Sequence, residues 1–120
     1  MEQLNKKRKH RRYTVTGSAD LKYERQGQNQ LIHALITDVS LSGIGLYLDG
    51  PLEDTIDVSL NITFISSDGS IKTDAINGRI VYSRKFKDVY FTGIQFHKEI
   101  NIINQPSLYE HLDAISLLDK

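Results

Sequence analysis

Hydrophobic and polar positions alternate along most of this chain, and the period changes once, near its C-terminal end. Tyr13, Val15, Ala19, Leu21 and Tyr23 alternate with mostly polar neighbours, which predicts a half-buried strand with Gly17 as a candidate bulge. "RQGQNQ" is a turn cluster, and "LIHALITDV" behind it reads as a second strand. "GIGLYL" makes a short third strand, ended by Asp49-Gly50-Pro51. Ile56, Val58, Leu60, Ile62 and Phe64 then alternate without interruption, the clearest strand pattern in the chain. "SSDGS" turns it back as a hairpin into "IKTDAINGRIVYS", and "DVYFTGIQF" supplies the last strand. No internal repeat or low-complexity linker interrupts this series.

After it the spacing becomes helical. Leu108, Leu112 and Ile115 recur on one face, with Leu118 close to the same stripe, which predicts a helix over about 105–118. Two starts fit. Pro106 suits a first helical turn, and Ser107 with Glu110 offers a capping box one residue later. The predicted fold class is therefore mainly all-β: six or seven antiparallel strands closed into a small barrel, with a C-terminal α-helix packed on it.

Composition narrows the class further. The 120 residues suit one domain, and 39% apolar with 25% charged residues reads as globular rather than disordered. No apolar run approaches the roughly 20 residues of a membrane-spanning helix. The N-terminus is too basic and polar for a signal peptide, so the expectation is a cytoplasmic protein with no membrane span. The absence of cysteine excludes disulfides, thiolate metal sites and thiol catalysis. The net charge of zero conceals an asymmetry. Lys6, Lys7, Arg8, Lys9, Arg11 and Arg12 face only Glu2 in the first twelve residues, which leaves −5 on the rest. A basic arm on an acidic body fits an anionic partner such as a nucleotide, nucleic acid or membrane surface; it also fits a solvated tail.

Enzyme chemistry finds little to stand on. His10, His33, His97 and His111 are scattered, with no HExxH and no close pair. Neither a GxSxG elbow nor a GxxxxGK[ST] phosphate loop occurs. Glu53, Asp54 and Asp57 read as a solvated rim beside a strand. The expectation is a protein that is not an enzyme, with no metal and no resident cofactor.

Two short elements carry more. Arg8 and Arg12 frame R-x-x-x-R just before the first strand; Asp38, Ser40 and Gly43 frame D-x-S-x-x-G between the second and third. Taken singly, Asp38 reads as an Asx-turn and Gly43 as a turn residue. Together and in this order the two elements closely resemble the PilZ domain family. "GRIVYS", "YFTGIQF" and the trailing helix extend the resemblance over residues 6–118. It implies a six-stranded β-barrel that binds cyclic di-GMP through Arg8, Arg12, Asp38, Ser40 and Gly43. It also implies signalling to a protein partner, for which flagellar motor, pilus or polysaccharide-synthesis machinery are the candidates.

The side-chain chemistry suits that ligand independently. An arginine forks onto phosphate oxygens or onto guanine O6 and N7, and its flat face stacks on a base. Asp38 would accept from guanine N1–H and N2–H₂, which adenine cannot match. Ser40 adds a hydroxyl that donates and accepts, and Gly43 lets a ligand approach bare backbone. Lys7 and Arg11 extend the basic side. Lys7 stands where an added cation would favour a stacked pair of ligands over one, and Arg11 points either to phosphate or to water. Tyr82 and Arg84 would bring an aromatic face and a cation nearby. Residues 1–12 hold too little apolar surface to order themselves, so they are expected to form a mobile basic arm that folds over the mouth of the barrel domain, 12–120, on binding. Two alternatives stand beside this reading: a PilZ-like interaction module without ligand, and a small nucleic-acid-binding barrel. Against the latter, only one segment is basic and no aromatic stacking platform is evident.

Overall fold

The alternation that marks Ile56 to Phe64 puts one side chain in two toward a common interior, and six strands share that interior. A computed structural model of the chain describes residues 10–118. In chain order the strands are β1 (Gly17–Arg25), β2 (Gln28–Val39), β3 (Gly43–Leu48), β4 (Asp57–Ile65), β5 (Ile71–Phe86) and β6 (Val89–Phe96), followed by α1 (Pro106–Leu118). They close into an antiparallel barrel in the order β1-β2-β3-β6-β5-β4. Four contacts join chain neighbours. The other two, β3 with β6 and β1 with β4, close the ring over long sequence distances.

Within β4, Val58, Leu60, Ile62 and Phe64 are buried and their alternate neighbours face outward. Leu21, Ile44, Leu46, Ile80 and Ile94 meet them from the other strands. Each such side chain contributes about 1.5–3 kcal/mol by leaving water. The turns follow their sequences. Gln26 and Gly27, both at positive φ, make the two-residue loop between β1 and β2. In "SSDGS", Asp68 accepts from the hydroxyls of Ser66 (2.5 Å) and Ser70 (2.6 Å) and from the Ser70 amide. Those hydrogen bonds hold its carboxyl well below the usual range.

Six strands, not seven, complete the ring. Tyr13 and Val15 do not extend β1: Tyr13 makes a single two-hydrogen-bond bridge to Val39, and Val15 is buried in the core. Gly17 begins β1 rather than bulging it. The bulges lie between Ile36 and Asp38 in β2 and between Ile80 and Tyr82 in β5. The fifth strand also runs on past Ser83 to Phe86.

The helix begins at Pro106, whose missing N–H costs nothing at that position. The Gln105 carbonyl accepts from Tyr109 N–H at 2.9 Å. The Leu108 N–H is capped from outside the helix, by Asp74 of β5 at 2.6 Å. Leu108, His111 and Leu112 are buried against the barrel. His111 lies on Phe64, with 5.1 Å between ring centroids, and its Nδ1 is buried without a partner among the described residues. Burial pushes its pKa below the ordinary 6.5. The unfolded chain therefore takes up this proton first as pH falls. Its stabilising contribution is complete above the unfolded pKa and declines below about 6.5, until the folded pKa is passed. Urea melts should show stability falling over that window, and His111→Phe should flatten the fall. An equal slope in that variant would assign the effect to other groups.

Candidate functional site

The end of β2 and the segment before β1 lie side by side because Tyr13 and Val39 exchange both backbone hydrogen bonds, each 2.8 Å. That bridge sets Arg12 beside Asp38. Arg12 Nη1 donates to Asp38 Oδ1 at 2.9 Å, with the two side chains 23% and 34% exposed. Thr37 Oγ1 also donates to Oδ1, at 3.4 Å. The bulge between Ile36 and Asp38 puts Asp38 opposite Gly45 of β3. A Cβ on Gly45 would stand 2.7 Å from Asp38 Oδ1 and 2.6 Å from Thr37 Oγ1. Gly45 makes the room in which the carboxylate sits.

Ser40 and Gly43 build the turn that follows. Ser40 N–H donates to the Gly43 carbonyl at 2.9 Å, and its Oγ accepts from the Ser42 and Gly43 amides, both at 3.2 Å. Ser40 is 2% exposed, so its hydroxyl chiefly holds the turn from inside. Gly43 is not a positive-φ residue. Its lack of a side chain is required by β6, since a Cβ there would stand 2.6 Å from the Ile94 carbonyl oxygen.

Arg12, Ser40, Ser42 and Gly43 border a cleft of about 410 Å³, closed on its far side by Gln95, His97 and Glu99. His10 completes the rim, its Nε2 2.8 Å from Glu99 Oε2. Arg11 points elsewhere, to a hollow of about 190 Å³ beside Tyr109, Leu112 and Asp113 of α1. Across the sheet Tyr82 lays its ring on Gly93, which pairs with Gly45, and the Arg84 guanidinium lies 5.4 Å from that ring's centroid. The fold thus gathers Arg12, Ser40 and Gly43 at one cleft, holds Asp38 beside it through Arg12, and puts Arg11 outside it. Arg8 and Lys7, with most of the expected arm, lie outside the described residues.

The rim residues His10, Gln95, His97 and Glu99 were not evident in the sequence, because no local spacing links 10 to 95–99. Gly45 left a trace: "GIG" puts two glycines on one face of a strand, directly after D-x-S-x-x-G. Among the described residues no group of His, Asp and Glu is placed to hold a metal ion. No helix there is long and apolar enough to cross a membrane.

The family model described as PilZ domain matches residues 6–114. Comparison with curated proteins gave no sequence match. A structure of the Bacillus subtilis inhibitor of motility (MotI/DgrA) is similar to this chain with a TM-score of 0.71 at 13% identity. The similarity covers 95% of this chain and 53% of that one, so this chain spans about half of its length. The PilZ domain of YcgR from Escherichia coli, solved with c-di-GMP, is similar with a TM-score of 0.51 at 12% identity. Here the match covers 95% of this chain and 98% of the other.

Proposed function

This chain belongs to the PilZ domain family, and from that premise we propose that it is a cyclic di-GMP receptor that acts as an adaptor for another protein rather than as an enzyme. The observation that carries the reading is the Arg12–Asp38 contact, because it joins the two halves of the motif at the mouth of one cleft. Arg12 there has a fork for a phosphate or for guanine O6 and N7, and Asp38 has acceptors for guanine N1–H and N2–H₂. In the free protein the two groups satisfy each other. The nucleotide replaces that contact with two complementary ones, so neither charge is left bare. Ser40 and Gly43 act mainly by holding the turn and the β3–β6 seam that fix Asp38 in place.

Arg8 supplies a second fork and Lys7 a further cation from the arm, residues 1–12, which folds over the cleft when the nucleotide is present. Arg11 serves by steering rather than by contact. The surface so formed is what a partner reads, inside the cell where the nucleotide is made. Among motility, pilus and polysaccharide machinery, motility has one point in its favour: the similar Bacillus subtilis protein is an inhibitor of motility.

Calorimetric titration with cyclic di-GMP, with GTP and cyclic di-AMP as controls, tests the receptor reading. The expected affinity is micromolar or tighter, about −8 kcal/mol or better. Absence of heat at about 100 μM ligand, or equal binding of cyclic di-AMP, would overturn it.

A further inference from the structure

The outer face of the barrel carries an apolar row that the core does not use. Leu35 of β2 stands opposite Tyr47 of β3, and Tyr47 opposite Phe91 of β6. The Tyr47 and Phe91 rings are 4.5 Å apart between centroids, and Phe86 of β5 continues the row 6.1 Å from Phe91. Leu35 is 59% exposed and Phe86 55%. Single exposed apolar residues are ordinary; a row of four across adjacent strands is a patch.

Charge gives the patch a direction. The Lys87 ammonium lies 5.6 Å from the centroid of the Phe86 ring, and Arg84 lies over Tyr82 at 5.4 Å. Among the described residues neither cation, nor Lys85 between them, joins an ion pair, although Asp88 follows directly in sequence. Unpaired cations over the half-buried Tyr82 and the exposed Phe86 present positive charge beside an apolar surface. An occupant complementary to both brings carboxylates and an apolar side chain together.

We propose that this row docks an acidic protein segment through an apolar anchor seated on Tyr47, Phe86 and Phe91, with its carboxylates toward Arg84 and Lys87. The proposal deepens the adaptor reading and rests on it. The row adjoins the ligand cleft: Tyr82, on which Arg84 stacks, covers Gly93, and Gly93 pairs with the Gly45 that accommodates Asp38. Asp38 is therefore separated from the anchor rings of the docking face by the Gly45–Gly93 pair. A lipid surface fits less well, since the row lies on the flank of a barrel and Asp88 stands at its end.

The test is an amide NMR titration of the full chain with two synthetic peptides. One is acetyl-Asp-Glu-Phe-Glu-Leu-Asp-amide, and the other has every acid replaced by lysine; vesicles of phosphatidylcholine and phosphatidylglycerol form a third arm. The acidic peptide should shift Tyr47, Arg84, Phe86 and Phe91 with a dissociation constant of about 0.1–1 mM, as for a weak transient contact. Phe86→Ser and Lys87→Glu should each weaken it several-fold while cyclic di-GMP affinity stays unchanged. Equal binding of the lysine peptide, shifts elsewhere, no shift at millimolar peptide, or binding to vesicles instead would overturn the proposal. Loss of cyclic di-GMP binding with peptide docking intact would sink only the receptor reading.

Discussion

Asp38→Ala should weaken cyclic di-GMP binding by more than a factor of ten, and Arg12→Ala by roughly 100-fold. A charge-assisted hydrogen bond is worth about 1.5–3 kcal/mol, which already spans both figures. The difference between them comes from what each truncation leaves behind. Without Asp38, Arg12 remains free to fork onto the ligand, and only the guanine contact is lost. Without Arg12, a two-pronged contact and the cation beside an anionic nucleotide are lost together, while Asp38 keeps only its guanine donors. The Arg12–Asp38 contact is partly exposed and carries little folding stability, ~0–1 kcal/mol. Both variants should therefore stay folded, and a melting curve checks that directly. The double variant should lose more than the two single losses combined, because each single variant is separately spared the cost of breaking the free-state contact, a saving the double variant makes only once. Calorimetry on all four forms measures this. An unchanged affinity in Asp38→Ala would return that residue to shaping the end of β2.

The two glycines of "GIG" should separate stability from binding. Gly43→Ala forces a Cβ to within 2.6 Å of the Ile94 carbonyl, a backbone atom that cannot turn aside. Overpacking of that kind costs about 1–3 kcal/mol. For a domain of this size that is a fall in Tm of roughly 5–15 °C. Gly45→Ala meets only the side-chain ends of Thr37 and Asp38, at 2.6 and 2.7 Å. They can move, so the fold survives, but Asp38 then leaves the position the ligand would use. The expected outcome is a lower Tm with residual binding for Gly43→Ala, and a near-normal Tm with weakened binding for Gly45→Ala. Thermal melts paired with titration decide it. The reverse pattern would mean that Gly43, not Gly45, sets the site.

Local periodicity made most of the barrel legible. β4 announced itself by alternation, the loop at Gln26-Gly27 by its turn residues, and β3 by a short apolar run before Asp49-Gly50-Pro51. Closure of the ring could be expected but not traced, because the contacts of β1 with β4 and β3 with β6 leave no mark in either strand's own pattern. The sequence pattern starts the first strand too early for a related reason: Tyr13 and Val15 alternate like strand residues, yet of the two only Tyr13 finds a partner, Val39. Of the two helix starts, the one at Pro106 comes with a cap on Leu108 from Asp74, 34 residues before Leu108 in sequence. At the site, residue types suggest a chemistry and say nothing of orientation. Nothing local distinguishes a serine aimed at a ligand from one that, like Ser40, folds its hydroxyl into its own turn. Alternation does separate Arg11 from Arg12, but only once the Tyr13–Val39 bridge fixes which side faces the cleft.

That bridge also bears on how the site comes into being. Arg12 and Asp38 lie at the outer ends of one hairpin, folded about Gln26 and Gly27, so their approach starts from β1 and β2, and the β3–β6 seam then fixes Asp38 in place. Contacts between chain neighbours form early and cheaply, whereas the β1–β4 and β3–β6 seams wait for long loops to close. The recognition geometry is thus attached to a unit that can open and reclose apart from the rest of the barrel. Amide exchange should register this division: added cyclic di-GMP is expected to slow exchange through β1 and β2 well before it affects β4 and β5, so that occupancy would be read as the lifetime of a single hairpin.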